Sequence, residues 1–435
     1  MTFSIINVFK RAKENKTLLN GAIFSIYSFV NRGFTFILLM ILANFITPTE
    51  YGYLSLWGTV IMVIGYFISM STDGYLEVSY FREGMSGITN TFSCVFFTTL
   101  IVGGFFLLAL LISGDWIAGL LDLPVNSLYY ALIISFFTVY SNLNLNLFRI
   151  TEKVGRYGFF SCSNALMNFV LSIILIKYLN QGWMGRVNAQ LLCFSLFGIL
   201  GLILFLRKKH LRLPDLDFWK KMLIWGIPLI PHLATNFIRQ GCDRYIINGY
   251  HSIEDVGLFS FALNLATIIS MIGMGFNQSN SVDIYKVLGN REIDNVAKEQ
   301  KLQKQRNLIR LVLIVIAIVI AFSCYLFIPL LFPKYAGAKG YIPILSVYAF
   351  FLCLYYLYTN YLFYYGKTKK IMYITIGSAL LHLLLSSLLT RLSLYYTSFV
   401  YVLTQALVYI LIRSMAMKEL GIQLNKHAIY EYNKK

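Results

Sequence analysis

The sequence predicts an all-α polytopic membrane protein of about twelve transmembrane helices, built as two six-helix lobes related by a parallel internal repeat. Three observations carry this. Of its 435 residues, 58% are hydrophobic and only 13% charged, and the mean hydropathy is +0.66. Apolar runs long enough to cross a hydrocarbon core of about 30 Å recur from end to end. Second, about 29 of the 37 Lys and Arg residues fall on alternate connections, the bias that marks cytoplasmic loops. Third, an offset of 205 residues carries Thr47-Pro48-Thr49-Glu50-Tyr51-Gly52 onto Ser252-Ile253-Glu254-Asp255-Val256-Gly257. The same offset sets Gly21 on Gly226, Asn31 on Asn236, Tyr80 on Tyr285 and Gly84 on Gly289. Matches that include polar and turn residues exceed the apolarity any two membrane helices share.

In chain order, a basic N-terminus (1–17) precedes a lobe over 18–206 with spans near 18–45, 51–76, 91–113, 127–148, 157–179 and 184–206. A basic stretch, 207–221, links it to a second lobe over 222–415, with spans near 222–249, 256–281, 308–332, 341–364, 370–390 and 395–415, and a tail over 416–435. Six spans per lobe give the halves one orientation, and an even total puts both termini in the cytoplasm. Later in each lobe the offset becomes 214 residues: Asn146 falls on Asn360, Asn168 on His382 and Ser172 on Ser386. The added residues lie between the two registers, and the polar stretch from Val287 to Asn307 reads as an amphipathic or surface helix.

The net charge of +18 follows from topology, so it does not point to nucleic acid. Met1 to Asn20 carries Lys10, Arg11, Lys13 and Lys16 ahead of a full-length span, unlike a cleaved signal. Six cysteines, scattered through apolar segments without CxxC or Cys/His spacing, read as small buried residues, and no metal or cofactor is expected. Nucleotide, phosphate-loop, serine hydrolase and zinc protease motifs are missing, and no outer loop is long enough for an enzymatic domain.

Chemistry therefore falls to polar side chains at membrane depth, where each charge costs about 2.5–3.5 kcal/mol on insertion scales. Arg32 sits mid-span, too deep to snorkel, with Ser25, Ser28 and Thr35 on its stripe. Two readings are open: a cationic site facing a wet cavity, or a structural Arg paired inside the bundle. In the seventh span His232, Asn236, Arg239 and Asp243 share one helical face below Pro228 and Pro231, whose missing amide hydrogens mark a kink or hinge. Arg239, with Arg244 behind it, offers a cationic site. Asp243 and His232 are candidates for proton or ion coupling, Asp243 alternatively pairing with Arg239 one turn away. Asn142, Asn164, Asn168, Asn277, His382 and Gln405 read as interhelical hydrogen bonders or cavity lining. Tyr355, Tyr356 and Tyr358 are either core or a face for sugar stacking.

Asn44-Phe45-Ile46-Thr47-Pro48-Thr49-Glu50-Tyr51-Gly52 resembles the "L-T-P-x-E-Y-G" signature of bacterial polysaccharide transporters, the lipid-linked oligosaccharide flippases. Gly226 to Pro231, Asp243-Arg244-Tyr245-Ile246-Ile247 and Val256-Gly257-Leu258-Phe259 are similar to the second-half signature, with Phe259 where the family has Tyr. The resemblance implies the multidrug/oligosaccharidyl-lipid/polysaccharide (MOP) exporter fold, two six-helix lobes around a central cavity, in the bacterial cytoplasmic (inner) membrane. It also implies an undecaprenyl-pyrophosphate-linked oligosaccharide of O-antigen, capsule or exopolysaccharide as substrate, and the polysaccharide polymerase and chain-length machinery as partners besides the bilayer. Arg32, Arg239 and Arg244 would then be the cationic candidates for the pyrophosphate. The rivals are a drug or cation antiporter of the same superfamily, which typically places carboxylates in its lobes, and a membrane polysaccharide polymerase or ligase, for which a repeat would be unexpected.

Overall fold

A computed structural model describes the backbone of residues 16–290 and 292–432, with side chains except those of 16–22, Ser25, Ser28, Arg32, His232, Asn236, Gln278, Ser279 and 423–432. Every element among the described residues is helical. Ten helices are long and apolar enough to cross a membrane, and the Phe29–Phe45 part of the first adds a shorter apolar helix. Two compact units emerge, divided between Ala234 and Thr235.

The first unit begins with α1 (Lys16–Phe45) and α2 (Pro48–Ile68). Thr47 caps α2 with a reciprocal box: its hydroxyl accepts from the Glu50 amide at 3.2 Å, and the Glu50 carboxylate accepts from the Thr47 amide at 2.8 Å. The second span is shorter than 51–76. It stops at Ile68 because Met70 and Ser71 turn into the left-handed region, at φ 49° and 56°. A short α3 (Tyr75–Glu83), a long α4 (Met85–Leu121), α5 (Val125–Ile150) and α6 (Val154–Ile173, continued by a π-helical turn to Tyr178) follow. α7 (Gly182–Arg207) closes against α5: a Cβ on Gly198 or Gly201 would lie 2.4 Å from the Phe137 carbonyl oxygen or 2.6 Å from that of Tyr140. Small residues there let the two backbones meet without a hydrophobic drive between them.

The basic stretch 207–221 is tied down rather than loose. Ser93 donates to the His210 carbonyl at 3.1 Å, His210 Nδ1 meets Thr89 Oγ1 at 2.7 Å, and Trp219 Nε1 donates to Thr98 at 2.8 Å from α8 (Leu216–Gly226). Burial first, then the Lys208 and Arg212 charges, push the His210 imidazole below the ordinary histidine range, so it is neutral at pH 7.

The expected continuous span over 222–249 is broken into three pieces: the end of α8, α9 (Leu229–Gln240) and α10 (Cys242–Tyr250). Pro228 stands at the first break, where its missing N–H costs least, and Gly241 at the second. The second unit continues with α11 (Ile253–Gly289), α12 (Asn295–Leu331), a 3₁₀ turn (Pro333–Gly340), α13 (Tyr341–Tyr364), α14 (Thr368–Leu389) and α15 (Leu394–Tyr432). The polar stretch expected as a surface helix splits: from Asn295 it forms the first turns of α12, continuous with the following span. Ser252 caps α11 with Asp255 in the same reciprocal box as Thr47 with Glu50, at the position the 205-residue offset assigns.

Candidate functional site

The broken seventh span sets the polar chemistry of the second unit. Arg239, on the last turn of α9, is half-buried; its Nη2 donates to Ser378 Oγ on α14 at 2.7 Å and Nη1 to Gln405 Oε1 on α15 at 3.2 Å. The Tyr348, Tyr355, Tyr356 and Tyr401 phenols lie within electrostatic reach of it. Both of its partners are neutral, and no carboxylate pairs with it among the described residues. The Arg239 Nε–H and the neighbouring Gln405 Nε2–H are buried donors without an acceptor. Chemically, a guanidinium with idle donors beside it can hydrogen-bond the oxygens of an anion.

Asp243 does not pair with Arg239. The break at Gly241 interrupts the i, i+4 geometry that the sequence suggested, and the carboxylate instead enters a wholly buried cluster. His382 Nε2 on α14 meets Asp243 Oδ2 at 2.7 Å, and Ser386, one turn further along α14, donates to Oδ1. His382 Nδ1 lies 3.0 Å from Thr404 Oγ1, whose own hydrogen goes to the Val400 carbonyl at 2.8 Å. Both ring nitrogens are thus engaged, and His382 and Ser386 together hold the two carboxyl oxygens of Asp243. Tyr401 packs edge-on against the ring at 4.8 Å. Arg244 turns away, donating from Nε to Ser260 at 3.3 Å and from Nη1 to the Gln240 carbonyl. The structure thus brings Arg239 and Asp243 into adjoining networks that meet at Thr404, through Ser378 and His382, and ties Arg244 to Gln240 on α9 and Ser260 on α11. The side chains of Arg32 and His232 lie outside the described residues. Pro231 lies within the first turn of α9, past the break at Pro228. Tyr358 is core, packed with Tyr361 and Tyr409, while Tyr355 and Tyr356 are half-buried.

The first unit holds a buried polar cluster centred on Arg186, a residue outside the sequence candidates, with Asn168 among its partners. Arg186, the fifth residue of α7, is 5% exposed. It donates from Nη1 to Ser172 Oγ at 2.8 Å and to Asn168 Oδ1, both on α6. In sequence it reads as a basic residue flanking a span. Its signal lay in its partners: Asn168 and Ser172 are the residues that the 214-residue offset sets on His382 and Ser386.

These helices make a multi-pass membrane protein, and its fold is the one seen in transporters of the MOP superfamily. An inward-facing multidrug resistance MATE family transporter of that superfamily is similar over 92% of this chain and 95% of its own, with a TM-score of 0.68 and 15% identity. A Pyrococcus furiosus MOP superfamily transporter, described as having a binding pocket of reversed polarity, is similar over 92% of this chain and 95% of its own, with a TM-score of 0.58 and 16% identity. Residues 18–280 match the polysaccharide biosynthesis protein family, and 228–388 match the MatE family. The chain belongs to the polysaccharide biosynthesis protein family. It is 24% identical over 354 residues to Lsg locus putative protein 1 of Haemophilus influenzae, covering 80% of this chain and 84% of that one.

Proposed function

We propose that the protein is a flippase. It carries undecaprenyl-pyrophosphate-linked oligosaccharide repeat units across the bacterial inner membrane by alternating access, with both termini on the cytoplasmic side. The observation that carries this reading is Arg239: a half-buried guanidinium held only by neutral groups, with the idle Nε–H and Gln405 Nε2–H beside it. A pyrophosphate supplies the acceptors those donors lack, and a guanidinium fork suits its oxygens. The half-buried Tyr355 and Tyr356 near it offer faces on which sugar rings stack. The repeat unit is that of an O-antigen, capsule or exopolysaccharide, and polymerase and chain-length proteins receive the product.

Pro228 and the Gly241 break segment the seventh span, which supports a hinge there. Asp243 with His382 is the coupling pair. A proton shared between two buried groups can be taken up on one side of a transport cycle and released on the other. Asp243→Asn is expected to make transport indifferent to collapse of the proton gradient; retained sensitivity assigns the coupling elsewhere.

The test of the substrate site is surface polysaccharide measured together with membrane abundance. Arg239→Ala should abolish polysaccharide at normal abundance, and Arg239→Lys, which keeps the charge but loses the fork, should be intermediate. Wild-type polysaccharide from Arg239→Ala would remove this residue from the mechanism, and abundance falling in step with polysaccharide would make it structural. The antiporter reading draws on one observation, the buried carboxylate of Asp243, but that carboxylate is already occupied by His382 and Ser386. Export of a cationic drug by the wild type, lost in Asp243→Asn, would favour it.

A further inference from the structure

Arg186 stands in a polar cavity of about 300 Å³ that lies wholly within the first unit, between α1, α5, α6 and α7. Its guanidinium keeps its charge at neutral pH, and both of its partners, Asn168 and Ser172, are neutral. No carboxylate pairs with it among the described residues. An ion this buried without a counter-charge is costly, because neutral hydrogen bonds do not replace the solvation lost. Asn31 and Asn164 also line the cavity, and their side-chain oxygens are buried without a hydrogen-bond partner. A carboxamide turned by 180° exchanges oxygen for NH₂, so each can present a donor or an acceptor to an occupant. Gln190 and Thr138 add polar groups to a wall that also includes the apolar Phe34, Phe169 and Phe194.

We infer that this cavity is an anion site inside the first unit, taking a small monovalent anion on Arg186, with Asn31 and Asn164 completing its shell. The anion is either an inorganic halide or the carboxylate of a monosaccharide, for which the cavity is large enough: small-molecule pockets begin at about 300 Å³. The site is separate from Arg239 and does not depend on what the transporter carries. It also accounts for the persistence of an unpaired arginine in a membrane helix: the partner is exchangeable rather than built in.

Chloride-35 NMR line broadening by the purified full-length protein in detergent tests this. Wild-type protein should broaden the line well beyond Arg186→Gln, and Arg186→Lys should retain most of the excess. Asn168→Asp guards against a variant that merely misfolds, because it places a carboxylate on the guanidinium. It should raise the unfolding temperature and still lose the excess broadening. Displacement of chloride by glucuronate but not by glucose would identify a sugar carboxylate as a ligand, and no displacement by either would restrict the site to inorganic anions. Equal broadening by wild type, Arg186→Gln and Asn168→Asp would overturn the inference.

Discussion

Asn168 and His382 occupy the same position in two copies of one helix, and so do Ser172 and Ser386, yet the two pairs hold charges of opposite sign. In the first unit they receive the Arg186 guanidinium from α7; in the second they receive the Asp243 carboxylate from α10. The frame is common, down to the capping boxes of Thr47 with Glu50 and Ser252 with Asp255. What differs is whether the partner's charge is answered. His382 and Ser386 take both carboxyl oxygens of Asp243 and close the second cluster upon itself, whereas Asn168 leaves the Arg186 charge standing. A duplicated scaffold has kept its geometry and diverged in polarity through single side chains.

The sharpest way to break this contrast is to remove the charge from each cluster. Asp243→Ala leaves both His382 and Ser386 without their buried partner, at about 1–3 kcal/mol for each group. Arg186→Ala removes a buried charge and leaves only neutral acceptors unpaired, at about 1–3 kcal/mol. Membrane abundance and unfolding temperature in detergent should therefore fall more for Asp243→Ala. Equal losses would mean that the second cluster is no more closed upon itself than the first.

The caps sharpen the comparison from the other side, since there the units are expected to agree. Thr47→Ala and Ser252→Ala should each destabilise by about 1 kcal/mol, read as a matched shift in unfolding temperature. Glu50→Ala should exceed Asp255→Ala, because Glu50 Oε1 also accepts from the Trp183 amide at 3.2 Å, tying α2 to the start of α7. Gly182, at φ 55°, makes that approach feasible: a Cβ there would stand 2.1 Å from Glu50 Oε1. A larger effect at Asp255 would count against the asymmetry.

Much of the fold was legible because a bilayer imposes it. Hydropathy located most of the spans, and the offsets matched the helix positions and the turn stretches in which the structure places the two caps. The seventh span shows where periodicity fails. Pro228 announced the first break, but Gly241 looked like an ordinary small residue in a helical pattern, and its break separates Arg239 from Asp243. His382 could not be matched to Asp243 from sequence, since the two lie 139 residues apart and nothing in helical spacing reports tertiary partners. Arg186 was hidden for a different reason. Near the end of a span, a basic residue has an ordinary explanation in flanking charge, and only its burial sets that explanation aside.

The most direct test of the central claim is translocation of a fluorescent polyprenyl-pyrophosphate-linked oligosaccharide in proteoliposomes containing only this protein. Wild-type protein should move the lipid to the opposite leaflet, and Arg239→Ala, reconstituted to the same density, should lose at least tenfold in rate, about 1.4 kcal/mol. Equal rates for the two proteins, or no translocation by the wild type under an imposed proton gradient, would contradict the account.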